Sequence, residues 1–356
     1  MQNDKRSLRT ALVGERGIIT SAYLATTPTG LEPAYFSYLL RAYDLQKVFY
    51  SMGGGLRQGM KFSDVKRLPV LRPSKLEQRA VAAFLDRETG KIDALVEAQR
   101  RLIELLKEKR QAVISHAVTK GLDPSAPMKA SGVEWLGEVP AHWEVKQLKY
   151  AARVLPGFAF SASQFSLDEQ HCRLLRGVNV GVGSIRWDEA VYWKRAVGDL
   201  LEAFELRPGD VVVGMDRPWI ADGLRIATIR QDDIPALLLQ RVAALKPRPG
   251  QQGEFVRLLL SRPAFYHHCA PEMTGVSVPH ISGSQIEAYV VALPPEAEQL
   301  AIVEQLGVKV RELEKLALEA EAATAILEER RSALISAAVT GKIDVRGLVP
   351  AEAEAA

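Results

Sequence analysis

Two stretches of the chain carry apolar positions at alternating intervals of three and four residues. Ile92, Leu95, Gln99, Leu102, Leu106, Lys109 and Val113 follow this spacing in the first stretch. Leu313, Leu316, Ala320, Ala323, Leu327, Arg330 and Leu334 follow it in the second. Heptad spacing of this kind predicts long helices with an apolar seam. Either stretch alone reads as an amphipathic core helix, but two in one heptad phase point to pairing with each other or with partner helices. Pro73 and the pair Pro294-Pro295 stand where the helices begin, and Gly121 and Gly341 where they end. Proline suits a first helical turn, and glycine suits the residue after a last one. Residues 131–292 have a different texture. Short apolar runs at 210–213, 225–229 and 288–291 are broken by Pro208-Gly209, Asp222-Gly223 and Pro249-Gly250. These are strand and turn signals. With one short helix over 254–260 they predict an α/β domain.

The two heptad stretches belong to an internal repeat. Residues from Pro73 onward return 221 positions later: Glu77-Gln78 becomes Glu298-Gln299, Arg110 becomes Arg331, and Asp123 becomes Asp344. Ala112, Ile114-Ser115 and Ala117-Val118-Thr119 become Ala333, Ile335-Ser336 and Ala338-Val339-Thr340, with no gap. Upstream the similarity is weaker and shifted by two residues, placing Phe36 over Phe255 and Gly17–Pro28 over Ala236–Pro247. The unit is a variable segment followed by a constant helical one, and it occurs twice.

Composition narrows the classes. The 356 residues are 47% hydrophobic and 25% charged, as in ordinary globular protein. Cys172 and Cys269 form no CxxC pair, so a zinc site is not expected and a reducing cytoplasm is the default. No run of 18 apolar residues is present, so no membrane span is predicted. Net charge is +3, with +6 in residues 1–73, +3 in 74–130, −1 in 131–292 and −5 in 293–356. The basic first segment suits a polyanion, whereas the middle segment would bind nucleic acid through a local patch.

Three passages carry a resemblance. Ser131–Val145 (SGVEWLGEVPAHWEV) is similar to the opening of a target-recognition domain, and Arg207–Arg217 (RPGDVVVGMDR) to its mid-domain strand and loop. Pro73–Gln78 and Pro294–Gln299 are similar to the starts of the conserved helices. On these passages the chain resembles the specificity subunit of type I DNA restriction-modification systems, over residues 11–345. The resemblance implies an α+β protein, with α/β target-recognition domains joined by two long antiparallel coiled-coil helices. It divides the chain into a partial first recognition domain (1–72), a first helical spacer (73–123), a linker (124–130), a complete second recognition domain (131–292), a second spacer (293–345) and a disordered tail (346–356).

The implied function is non-catalytic: each recognition domain reads half of a bipartite DNA target, and the helices dock methyltransferase subunits. A helix of about thirty residues spans roughly 45 Å. DNA rises about 3.4 Å per base pair, so such a rod sets two reading heads about a helical turn apart. Partners implied are double-stranded DNA, methyltransferase (M) subunits and, in the full complex, a restriction (R) subunit, with no membrane. S-adenosylmethionine, ATP and Mg would sit on those partners. The chain departs from the family in its first domain, where about 85–90 residues have no counterpart. A gene fragment, a misassigned start, a natural truncation and completion by a second chain all fit that gap. A remnant or helical interaction protein without DNA specificity of its own is the alternative reading.

Base reading calls for side chains that reach base edges, above all arginine to guanine and asparagine to adenine, on loops held by a rigid scaffold. The candidates in the second domain are Arg176, Asn179, Arg217, Trp219, Ser277 and His280. In the first they are Arg57 and Lys61, beside Gly53-Gly54-Gly55. For each arginine the alternative is a solvated surface charge, and for Trp219 and His280 it is packing. The triple glycine lacks the Lys-Ser/Thr of a phosphate loop. His267-His268-Cys269 with His280 matches no standard ligand spacing. No adenine-methyltransferase or Walker motif is found, so catalysis is assigned to partners. Ile92, Leu95, Leu102, Leu106 and Val113, with Leu313, Leu316, Leu327 and Leu334, are the expected coiled-coil and partner positions.

Overall fold

The computed structural model describes residue 18 and residues 25–51, 62–275 and 278–348. Its helices are α1 Pro33–Leu45, α2 Phe62–Val65, α3 Lys75–Lys120, α4 Gly253–Leu260, α5 Pro263–Cys269, α6 Gly283–Ala288 and α7 Glu296–Val339. The chain forms two compact units, residues 1–106 with 315–356, and residues 107–314. The division falls within both long helices, so each unit combines parts of α3 and α7 with its own flanking elements. No helix among the described residues is long and apolar enough to cross a membrane.

In the first unit, α3 opens on a reciprocal cap. Ser74 N and Oγ donate to Glu77 Oε2 at 2.9 and 2.8 Å, and Glu77 N donates to Ser74 Oγ at 3.3 Å. Tyr35, Leu39 and Ala42 of α1 bury against Val81, Phe84 and Leu85 of α3 and Ile335, Ala338 and Val339 of α7. Gln78 lies buried beneath them: its amide donates to Pro73 O at 2.8 Å and accepts Glu32 N, at the cap of α1, at 2.7 Å.

Within this unit the two long helices run antiparallel, with Arg331 Nε 2.7 Å from Asp93 Oδ1 and Arg100 Nη2 3.1 Å from Glu328 Oε1. The shielded positions include Ile92, Val96, Gln99, Ile103 and Leu106 on α3, and Ala317, Ala320, Ala323, Thr324, Leu327, Glu328, Arg331 and Leu334 on α7. The heptad period is as expected, but half of the seam shifts by one residue. Val96, Ile103 and Ala317 are shielded, whereas Leu95, Leu102 and Leu316 are 51%, 43% and 48% exposed. The reason is continuity with the end core: buried Leu85 and Thr89 begin a four-three series that runs through Ile92 and Val96. Spacing alone leaves two phases that share Ile92, Gln99 and Leu106, and the partner helix selects between them. At the C-terminus, residues 346–348 fall in the segment expected to be a disordered tail. Arg87 Nη1 donates to Leu348 O at 2.7 Å, and Val345 is buried in the core. Residues 349–356 lie outside the described ones.

In the second unit the helices are again antiparallel, with Arg110 Nη1 3.4 Å from Glu314 Oε1. Thirteen strands are described, all in this unit: β1 Met128–Ala130, β2 Glu138–Pro140, β3 Glu144–Gln147, β4 Ala152–Pro156, β5 Cys172–Leu175, β6 Val191–Trp193, β7 Val211–Gly214, β8 Trp219–Ile220, β9 Gly223–Leu224, β10 Ile226–Thr228, β11 Ala236–Leu238, β12 Val242–Pro247 and β13 Val290–Leu293. An antiparallel sheet of order β10-β7-β12-β4 is the centre. Val211, Val213, Ala243 and Leu245 enter a core shared with α4, α6 and the long helices. Val212, Ala227, Val242 and Ala244 enter a second core with Leu175 and Leu238. Burial on both faces explains an unbroken valine run where a half-exposed strand would alternate. A second sheet, β11-β5-β6, contains the parallel pair β11–β5. The segment expected as a linker supplies β1, which pairs with β2.

The opening passage of this domain is explained by packing. Trp143 is fully buried, and its indole donates to Glu298 Oε1 at 3.1 Å. His142 Nε2 lies 2.8 Å from the other oxygen, Oε2. Gly121, with φ 74°, leaves room for that carboxylate, since a Cβ there would meet Glu298 Oε1 at 3.2 Å. The next residue, Gln299, is buried, donates to Pro294 O at 2.9 Å and accepts Gln252 N, at the cap of α4, at 3.0 Å.

Candidate nucleic-acid interface

Three loops of the second unit converge where β7 and β10 leave the central sheet. After Gly214 the chain passes through Asp216 and Arg217, makes the β8–β9 hairpin and returns through Arg225. Arg217 has φ 45°, and its N–H donates to Pro279 O at 2.7 Å, which fixes the hairpin to the loop before α6. Ile281 N donates to Met215 O at 3.0 Å, and His280 Nδ1 donates to Asp216 Oδ1 at 2.7 Å, extending that tie. The third loop, 176–186, is joined by Arg225, whose Nε donates to Val180 O at 3.0 Å and whose Nη1 donates to Asp216 O at 3.2 Å. Burial, and then the nearby Arg186 charge, hold Arg225 below the usual arginine pKa. Arg225 is therefore committed to binding loop to loop.

The expected site residues are placed as follows. Arg217 is exposed at the loop tip, and its side chain makes no hydrogen bond among the described residues. Arg176 is half-buried, with one guanidinium nitrogen on Glu189 O and a buried Nε that has no partner among the described residues. Asn179 is 2% exposed. Its Oδ1 accepts Arg176 N at 3.0 Å and its Nδ2 donates to Arg186 O at 2.8 Å, so it shapes the loop from inside. Trp219 packs on Phe265 and Tyr266, with ring centres 5.8 and 5.0 Å apart. His280 is half-buried against Asp216. Ser277, Arg57 and Lys61 lie outside the described residues.

Sequence reasoning missed Asp216, Arg186, Arg225 and Arg241. Arg186 and Arg241 are exposed, and Arg241 Nη1 lies 3.6 Å from Asp216 Oδ1. A signal was present for Arg241, a single arginine between the apolar runs 236–239 and 242–245. The result is five arginines, at 176, 186, 217, 225 and 241, on loops and strand ends of the two sheets of this unit, with Arg217, Arg225 and Arg241 beside Asp216.

No protein-family model matches the chain. The type I restriction enzyme MjaVIII specificity subunit of Methanocaldococcus jannaschii is 26% identical over 341 residues, covering 94% of this chain and 76% of that protein. The EcoAI specificity subunit of Escherichia coli is 29% identical over 221 residues, 62% of this chain and 37% of that protein. The EcoBI specificity subunit of the same species is 27% identical over 209 residues, 56% of this chain and 39% of that protein. The chain is similar, over nearly its whole length, to type I restriction enzyme specificity subunits. These relatives are named as specificity subunits of their restriction enzymes. A solved chain from a type I restriction-modification system shares the fold, with a TM-score of 0.61 at 18% identity over 88% of this chain and 72% of that one.

Proposed function

We propose that the chain is a specificity subunit that reads half of a bipartite DNA sequence through the loops of residues 131–292 and docks methyltransferase subunits along its long helices. The observation that carries the reading is the set of Arg176, Arg186, Arg217, Arg225 and Arg241 on loops and strand ends of the two sheets, three of the loops being joined through Arg225 and Asp216. In a segment of net charge −1 this is a local basic patch, as recognition of a polyanion by a near-neutral domain requires. The division of labour is physical. Exposed guanidiniums contact phosphates and base edges, with Arg217 offering a free fork to guanine. The buried Asn179 and half-buried Arg225 side chains hold the loops in place so that little order is lost on binding.

Docking is supported by apolar side chains that the helix pair leaves in solvent. In the first unit Leu95, Leu102, Leu105, Leu316, Leu318 and Ile326 are between 43% and 65% exposed. Leucines of this kind outside a seam are suited to partner helices. In the assembled complex S-adenosylmethionine, ATP and Mg would be held by the methyltransferase and restriction subunits.

The test is fluorescence anisotropy of duplex pools with the full chain, alone and with methyltransferase subunit, at several salt concentrations. Sequence-selective binding that weakens steeply with salt is expected. Binding that is salt-sensitive but indifferent to sequence, or none in the complex, would contradict the reading and favour a helical interaction protein.

A further inference from the structure

We propose that Arg241 is a base-reading side chain of this interface and that Asp216 is the residue that positions it; this rests on the DNA-reading function above. Among the described residues, positive φ at a non-glycine residue is found at Lys47, Arg217 and Arg241. Two of the three border Asp216. Arg217, at φ 45°, follows it in the chain, and Arg241, at φ 68°, faces its carboxylate. A side chain in the left-handed region is unfavourable, persists only where its surroundings enforce it, and is concentrated at functional sites.

Here the enforcement is visible. Met215 N donates to Arg241 O at 2.9 Å, and the flanking strand ends, Leu238 and Val242, are fully buried. The side chain itself is 61% exposed. Glycine would satisfy the backbone at this turn without strain, so the local structure gives no reason for an arginine.

The polar geometry supplies one. Asp216 Oδ1 is already engaged by His280 Nδ1 at 2.7 Å. At 3.6 Å from that oxygen, the Arg241 guanidinium feels the charge but makes no hydrogen bond, and none of its donors is bonded to a described residue. It is steered yet uncommitted. Arg225 is the contrast, with its donors used on Val180 O and Asp216 O. A planar guanidinium with a free pair of donors matches guanine O6 and N7 in the major groove.

The experiment is selection from randomised duplexes by the full chain with its methyltransferase subunit, together with a salt titration, for the parent, Arg241→Gly, Arg241→Lys and Asp216→Asn. Arg241→Gly suits the backbone, so folding is retained, and circular dichroism verifies it. The parent is expected to select a guanine at one position. Arg241→Gly should lose that preference by about ten- to a hundredfold and leave the other positions intact. Arg241→Lys should lose most of it, because a lysine has no fork. Asp216→Asn should blur the same position alone, an effect that a merely structural role would spread over the whole site. An unchanged sequence preference would overturn the proposal. So would uniform weakening with a salt slope lower by about one, which marks a phosphate contact. A parent that selects no sequence would instead overturn the DNA-reading function itself.

Discussion

Arg331 Nε lies 2.7 Å from Asp93 Oδ1 across the helix pair of one unit, and 221 positions away in each partner Arg110 faces Glu314 at 3.4 Å in the other unit. The repeat thus exchanges roles: the arginine of each helix meets an acid of the other. These pairs are partly exposed, so each contributes little, about 0.2–1 kcal/mol. Their value is as a marker of register. The shielded positions obey the same shift, Ile92 with Leu313, Val96 with Ala317, Gln99 with Ala320, Ile103 with Thr324 and Leu106 with Leu327. Equivalent buried glutamines, Gln78 and Gln299, tie each helix start to the N-terminal cap of a short helix.

The register makes neighbouring residues behave oppositely. Val96→Asp places an unpaired charge in the seam and should cost about 3 kcal/mol or more. Leu95→Asp falls on a side chain that is 51% exposed and should stay within about 0.5 kcal/mol. Urea unfolding followed by circular dichroism measures both. Equal costs would place the seam elsewhere. If the leucines dock a partner, Leu95→Asp and Leu102→Asp should still weaken capture of the methyltransferase subunit.

The buried glutamines give a second contrast. Gln299→Met keeps the volume but leaves Gln252 N–H and Pro294 O without their partner. The expected loss is about 1–3 kcal/mol. Gln78→Met should cost a similar amount through Glu32 N–H and Pro73 O. Either variant matching the parent in urea would show that water replaces the side chain.

How much of this was legible in the sequence differs by level. The repeat, the two helices and the strands at 211–214 and 226–228 follow from periodicity and turn residues, because those patterns are local. The seam phase was not legible, since Leu95 and Val96 both fit a heptad and only the partner helix separates them. Arg217 was readable as a loop arginine. Asn179 looked like a base reader because an asparagine in a loop has two uses, and only its contacts with Arg176 N and Arg186 O reveal which one is used here. Arg241 and Asp216 are 25 positions apart in the sequence, and no local pattern joins them.

Asn179 accordingly should act through the loop. Asn179→Ala would leave Arg176 N–H and Arg186 O unpaired, at a cost of about 1–3 kcal/mol. DNA affinity should fall for all sequences together, with the preferred bases unchanged. Selection and anisotropy on the variant measure this; a changed base at one position would make Asn179 a reader instead.

Alkaline pH probes the core of the second unit. Burial, with Glu272 adding to it, pushes the Cys269 thiol from 9.0 up to about 12. Burial also pushes the Tyr289 hydroxyl from 10.0 up to about 12. Both are neutral in the folded chain while the unfolded chain ionises first, so their contribution is intact below about pH 9 and is lost as pH rises toward 12. Urea midpoints should be flat up to about pH 9 and then decline, less steeply in Cys269→Ala. A flat profile to pH 11 in both proteins would contradict this burial.

The most direct measurement is an exchange of residues 131–292 for the matching segment of a type I specificity subunit, followed by selection of the preferred duplex by the complex with methyltransferase subunit. One half of the selected sequence should change to that of the donor while the other half and the spacing between them stay the same. An unchanged sequence, or a change in both halves, would contradict the assignment of base reading to this domain.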